Sequence, residues 1–260
     1  MTPRLAGLSA AAMRLAGREL PLLLSLLLVA CGLWVFVVVA GEMVEGDTHA
    51  FDEALLLALR NPTDRSDPIG PAWLEVFGRD VTALGGFGLL GFITLAVAGF
   101  LALQGKRRAA LFVIVAVAGG MALSVGLKTG FDRPRPDLVP HATLVVSPSF
   151  PSGHSMLSAS VYLTLGALLA RIQPSRPLKA YIIALAVLVT LAVGVSRVYL
   201  GVHWPSDVLA GWAAGASWAM ICWTVVLWLQ RHRQVERSPG DPAVARGDDA
   251  AGGVSRTAPR

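Results

Sequence analysis

The chain has 260 residues, 54% hydrophobic and 15% charged, with a mean hydropathy of +0.61. A soluble domain carries about 25% charged residues, so the composition excludes an ordinary water-soluble globule. The formal charge of +5 and pI near 9.8 would suit nucleic acid, but the basic residues sit in short clusters between long apolar runs, which implies a bilayer and no nucleic-acid partner.

Residues 1–19 form a short basic segment with Arg4, Arg14 and Arg18. The first apolar run, about 20–41, exceeds the roughly 7–15 residues of a cleavable signal core and lacks a small-x-small site before a soluble domain, so it reads as a retained span. The 42–81 segment carries nine acidic residues against three arginines. Between residues 50 and 60, Phe51, Ala54, Leu55, Ala58 and Leu59 share one helical face, with Asp52 and Glu53 opposite. Asn61-Pro62 ends that helix, and a second short one is expected from Pro71 to Arg79. Both read as amphipathic helices at the outer interface, either covering a site or filling space between spans.

Five more apolar runs follow, at about 82–103, 109–127, 153–170, 178–195 and 207–229. Each is close to the ~20 residues that cross a bilayer core as a helix. Gly85, Gly86, Gly88 and Gly91 in the second run point to close packing through small residues. Cys31 and Cys222 fall inside spans and read as buried thiols. From residue 231 the chain is polar and lacks apolar periodicity, so 231–260 is expected to be a disordered cytoplasmic tail. The runs do not alternate as barrel strands would. The fold class is therefore all-α: a six-span domain over 20–230, with interfacial helices in its first outer loop.

Loop charge orients these spans. Lys106, Arg107 and Arg108 lie in one connection, Arg171, Arg176 and Lys179 in another, and Arg231, Arg233 and Arg237 follow the last run. With the N-terminal arginines, all four basic segments fall on one side, which places both termini in the cytoplasm. The 42–81, 128–152 and 196–206 segments then face outward.

The outward segments hold chemistry that a membrane protein avoids unless it is used. Lys128 and Arg133-Pro-Arg135-Pro136 come first, then Pro151-Ser152-Gly153-His154, then Ser196-Arg197 and His203-Trp-Pro-Ser-Asp207. Phosphoryl transfer needs cations and N–H donors around three oxygens, a nucleophile on one side and an acid on the other. Lys128, Arg135 and Arg197 can supply the cations. Ser152 is placed to cap a helix whose free N–H groups bind anions, and Gly153 lets the backbone approach the ligand. His203 and Asp207 are four apart, and Pro205 suits the first turn of the last span. A carboxylate on one ring nitrogen leaves the other free to attack. Taken singly, each group has a plainer reading: snorkelling for Lys128, interfacial anchoring for Arg135 and Arg197, a simple N-cap, a structural His–Asp bond. Arg133 either assists phosphate binding or pairs with an acidic neighbour. His49 and His141 have no such partners and read as interfacial loop residues.

Jointly, the three stretches resemble the signature of the type 2 phosphatidic acid phosphatase superfamily. Six residues separate Lys128 from Arg135-Pro136, Pro151-Ser-Gly-His154 follows, and five residues separate Ser196-Arg197 from His203, with three more between His203 and Asp207. The resemblance implies a metal-independent, cofactor-free phosphatase with a phosphohistidine intermediate. It makes His203 the nucleophile, Asp207 its orienting carboxylate and His154 the acid for the leaving alkoxide. Lys128, Arg135, Ser152, Gly153 and Arg197 would hold the phosphoryl oxygens. The expected substrate is a lipid phosphate or pyrophosphate: undecaprenyl pyrophosphate, phosphatidylglycerol phosphate or phosphatidic acid. Short loops and the lack of eukaryotic targeting signals favour the outer leaflet of a bacterial inner membrane. A lipid-linked phosphotransferase would carry the same site. An anion transporter is the reading from another class, although the charges cluster at one face and do not line a path.

Overall fold

The structure, a computed structural model, describes residues 3–138 and 147–231, with side chains from residue 20 to 229. His141 and the 232–260 tail lie outside the described residues.

Eight helices follow in order: α1 (Pro3–Glu45), α2 (His49–Ala58), α3 (Ala72–Ala83), α4 (Phe87–Leu103), α5 (Arg107–Gly130), α6 (Gly153–Arg171), α7 (Arg176–Tyr199) and α8 (Pro205–Arg231). Among the described residues the only β-type pairing is a single bridge between Arg60 and Pro68. Five helices are long and apolar enough to span a membrane, and α3 with α4, bent by 48°, makes a sixth crossing. The all-α, six-span expectation holds, and both short helices of the first loop are present. The second span differs from the expected straight run over 82–103: α4 covers only 87–103, and the bent pair α3–α4, broken at Leu84-Gly85-Gly86, makes the crossing. The first helix begins at Pro3, ahead of the apolar run.

Helix α8 packs against both α1 and α6, and α6 packs against α7. Glycines set the closest approaches. A Cβ on Gly211 would lie 2.7 Å from the Ser152 carbonyl, and one on Gly215 would lie 2.3 Å from that of Met156. These two glycines, one helical turn apart, seat the start of α8 against the start of α6. The expected packing role of the second-span glycines holds only for Gly85. A Cβ there would meet Val193 Cγ1 at 2.5 Å and the His154 carbonyl at 3.1 Å, whereas Gly88 and Gly91 face open space. Cys222 is buried but Cys31 is exposed, because the face of α1 that carries it has no neighbouring helix.

Helix α2 inverts the arrangement expected in water. Its apolar residues Phe51 and Leu55 point outward, 51% and 42% exposed, while Asp52 and Leu56 are fully buried. A bilayer around the bundle accounts for this, since outward apolar side chains cost nothing in lipid and polar ones must find partners within the protein. Leu56 joins Val198, Trp204 and Val208 in one core cluster, which seats α2 on the ends of α7 and α8. The loop after it is fastened to α7 twice. Arg60 Nη2 donates to the Tyr199 carbonyl at 2.7 Å, and the Tyr199 hydroxyl donates to the Ile69 carbonyl at 3.0 Å.

Candidate active site

The residues singled out from sequence converge at one end of the bundle. Lys128 comes from the last turn of α5, Arg197 from the last turn of α7, and Ser152, Gly153 and His154 from the start of α6. His203 lies just before α8, and Asp207 lies in its first turn. The 131–138 and 147–151 segments cross between them and bring Arg135. Phe131 packs edge-to-face on both Phe36 and Phe150, and this trio of rings braces these segments against α1.

Ser152 caps α6, its side chain accepting from the Ser155 N–H at 3.4 Å. Its own N–H donates to the Asp207 carbonyl at 2.9 Å, which ties the α6 start to the α8 start. A Cβ on Gly153 would lie 3.3 Å from Lys128 Cε, so the glycine gives the lysine stem room to pass close to this N-terminus. Lys128 Nζ donates to the Pro148 carbonyl at 2.7 Å. Arg197 donates through Nη1 to Thr82 Oγ1 at 2.9 Å, while its buried Nε has no protein acceptor. A buried, unpartnered guanidinium N–H is an anomaly in a finished core, and an anionic ligand would satisfy it. His154 is partly exposed at the lip, with the α3–α4 turn against its backbone through Gly85.

His203 is 2% exposed. Its Nδ1 stands 3.3 Å from Asp207 Oδ2, and its Nε2 faces Arg135 Nη1 at 3.3 Å. A guanidinium can only donate, so Nε2 presents its lone pair and Nδ1 carries the proton toward the carboxylate. Burial, with Arg197 and Arg135, lowers the imidazole pKa from 6.5 to about 4 against the opposing pull of Asp207. That value favours the neutral ring at physiological pH, with Nε2 facing Arg135. Arg135 is held by Ser147 and Val202, its Nη1 donating to the Val202 carbonyl at 2.7 Å. Burial lowers its pKa as well.

Asp207 is fully buried and heavily held. Oδ2 accepts from the Trp204 N–H at 2.9 Å and in a short hydrogen bond from the Ser149 hydroxyl. Oδ1 accepts from Arg133 Nη1 at 2.7 Å. Arg133 also donates through Nη2 to Asp52 Oδ2 at 2.7 Å. Of the two readings left open for Arg133, pairing with acidic neighbours is the one observed. Ser149 and Asp52 had not been singled out. Ser149 sits two residues before the Pro-Ser-Gly-His stretch and carries no pattern of its own. Asp52 shares a helical stripe with Leu56, which could have marked it as inward-facing. The face opposite the apolar stripe turns into the protein: Asp52 is buried beside Leu56 and meets Arg133 and Ser206, while Phe51 and Leu55 lie outward. His49 is also better connected than expected. It meets Glu53 at 3.2 Å and packs edge-on against Trp204, because α2 lies directly on the turn that carries His203.

A model of the PAP2 superfamily matches residues 109–231. Phosphatidylglycerophosphatase B of Bacillus subtilis is 30% identical over 186 residues, covering 69% of this chain and 85% of that protein. The chain belongs to the PAP2 superfamily. A decaprenylphosphoryl-5-phosphoribose phosphatase of Mycobacterium tuberculosis is 33% identical over 131 residues, 49% of this chain and 67% of that protein. Among solved structures, the transmembrane PAP2-type phosphatidylglycerolphosphate phosphatase from Bacillus subtilis superposes with a TM-score of 0.64. The two are 27% identical, and the match covers 80% of this chain and 98% of that one. LpxE of Aquifex aeolicus, at 26% identity, matches with a TM-score of 0.50 over 66% of this chain and 94% of that one. PAP2 membership agrees with the helical bundle and with the joint presence of the three stretches at one end of it.

Proposed function

We propose that this PAP2 protein hydrolyses a lipid phosphate or pyrophosphate without a metal, through a phosphohistidine, at the outer leaflet of a bacterial inner membrane. The observation that carries the reading is the buried His203 ring, with Nδ1 on Asp207 and Nε2 turned toward Arg135. Relatives named as phosphatases of phosphatidylglycerophosphate and of polyprenyl-linked phosphates support the substrate class.

Lys128, Arg135 and Arg197, with the α6 start that Ser152 caps and Gly153 opens, surround the phosphoryl oxygens and stabilise the charge that spreads over them. The free Nε–H of Arg197 takes one oxygen. His203 Nε2 attacks phosphorus in line as the P–O bond to the lipid breaks. His154 protonates the departing oxygen. Asp207 balances the positive charge the ring gains. His154, now neutral, takes a proton from water, whose oxygen attacks phosphorus and breaks the P–N bond. Phosphate leaves, and both histidines return to their starting states. The basic connections on the opposite side of the bundle support placing this site outside the cytoplasm.

The test is phosphate release by the detergent-purified protein, with chelator, from phosphatidic acid, phosphatidylglycerol phosphate and undecaprenyl pyrophosphate. Release is expected from at least one, and His203→Ala should fall to background, with His154→Ala also strongly impaired. Unimpaired His203→Ala, or a strict need for magnesium, would overturn the mechanism. Transfer to an added alcohol in place of water would make the protein a phosphotransferase, and ion flux without release would make it a transporter.

A further inference from the structure

We propose that Asp52, in the first loop, is a positioning residue for the reaction. It acts through Arg133 to hold Asp207, and through Asp207 the attacking ring of His203. The inference rests on the reading of His203 as nucleophile.

Asp52 is fully buried, and both of its oxygens are engaged. Oδ1 accepts from the Ser206 N–H at 2.8 Å, while Oδ2 accepts from the Ser206 hydroxyl at 2.5 Å and from Arg133 Nη2 at 2.7 Å. Arg133 reaches the other way through Nη1, to Asp207 Oδ1 at 2.7 Å and to Ser206 Oγ at 2.8 Å. Its Nη2 also approaches Thr48 Oγ1 at 3.3 Å, and its guanidinium lies 5.6 Å from the centre of the Trp204 ring. These contacts occupy the fork of Arg133, so it is not a phosphate ligand in this arrangement. It is a bridge between two carboxylates.

The charge count explains why two carboxylates are used. Arg133 alone with Asp207 would make a neutral pair, and the carboxylate would be drawn to the guanidinium and away from the imidazole. Asp52 supplies a second negative charge and a second anchor, so the trio keeps one net negative charge beside His203 Nδ1. The geometry is rigid because Ser206 is gripped by both ends and begins the helix that carries Asp207. Helix α2 thereby sets the orientation of the carboxylate in α8.

Asp52→Asn removes the charge while keeping size and one acceptor. Loss of the orienting carboxylate in a Ser-His-Asp triad lowers turnover by about 10⁴-fold, and one step further out Asp52→Asn is expected to lower kcat by about tenfold or more. KM should stay within about twofold, because no substrate contact is lost. The experiment measures kcat and KM on the fastest-turned-over lipid of the panel above, using the full chain in detergent. Asp52→Asn, Arg133→Gln and the double variant are compared. If Asp52 acts through Arg133, the double variant is no slower than Arg133→Gln. A raised KM with unchanged kcat, wild-type kinetics in Asp52→Asn, or losses that multiply in the double variant would each overturn the proposal. Should Asp52→Asn fail to survive extraction, Asp52→Glu keeps the charge on an arm longer by one methylene and carries the same kcat-against-KM comparison. His203→Ala, run beside these, separates the two ideas. Activity in it defeats the nucleophile reading, whereas inactivity in it with full activity in Asp52→Asn defeats only this one.

Discussion

His203 illustrates how a single side chain is tuned by its surroundings. An imidazole in water is half protonated near pH 6.5, and as a cation it cannot attack. Burial among cations lowers the value to about 4, while Asp207 pulls it upward without prevailing. In ¹⁵N-histidine-labelled protein the His203 ring, identified by its loss in His203→Gln, should titrate near pH 4. Asp207→Asn should lower it further, since the carboxylate is the group that favours the cation. Titration above pH 6 would contradict the arrangement of charges. The linkage has a definite sign. The folded-state value lies below the unfolded one, so the folded protein resists taking up a proton. The His203 contribution to stability is present above about 6.5 and is lost as pH falls from about 6.5 toward 4. Asp207 and Ser149 show the complementary rule. A buried carboxylate is tolerable only when donors surround it, and here a hydroxyl, a backbone N–H, a guanidinium and the ring itself do so.

Among the helices, the α6–α8 seam positions the proposed site. Ser152 and His154 begin one helix and Asp207 begins the other, and Gly211 and Gly215 let the two starts approach. Gly211→Ala would push a methyl to 2.7 Å from the Ser152 carbonyl and 3.0 Å from Ser155 Cβ. The obstruction is backbone, so it cannot swing aside. A loss of about 1–3 kcal/mol in stability is expected, with reduced turnover, from overpacking at the site. Gly88→Ala, which meets nothing within 4 Å, is the control. It should leave melting temperature and activity close to wild type, and equal damage from both substitutions would show that the seam is not special. Helix α2 teaches a different lesson. Its amphipathic pattern was plain in the sequence, but periodicity reports only that two faces differ. Which face turns inward depends on the solvent, and lipid reverses the answer that water gives.

At the scale of the whole molecule, the proposed topology puts the loop between α2 and α3 outside and the α4–α5 connection inside. With Cys31 and Cys222 replaced by Ser, a single cysteine at Ser66 should react with an impermeant maleimide in intact cells. One at Gln104 should react only after permeabilisation, and the reverse pattern would invert the topology. The sequence by itself determined the all-α membrane class, five of the six crossings nearly to their ends, the two loop helices and every residue of the three-part signature. It could do so because those properties are local. Apolar runs must match the bilayer, caps and prolines mark helix starts, and a phosphoryl site needs particular side chains at particular spacings. Only the tertiary structure decided that Arg133 bridges Asp52 and Asp207, that Ser149 donates to Asp207, that Gly211 and Gly85 are contact points while Gly88 is not, and that α2 turns Asp52 and Leu56 inward. These depend on which surfaces meet across long stretches of chain. A buried charge is stable only beside its counter-charge, and no spacing along the sequence reveals where a partner so far along the chain will come to rest.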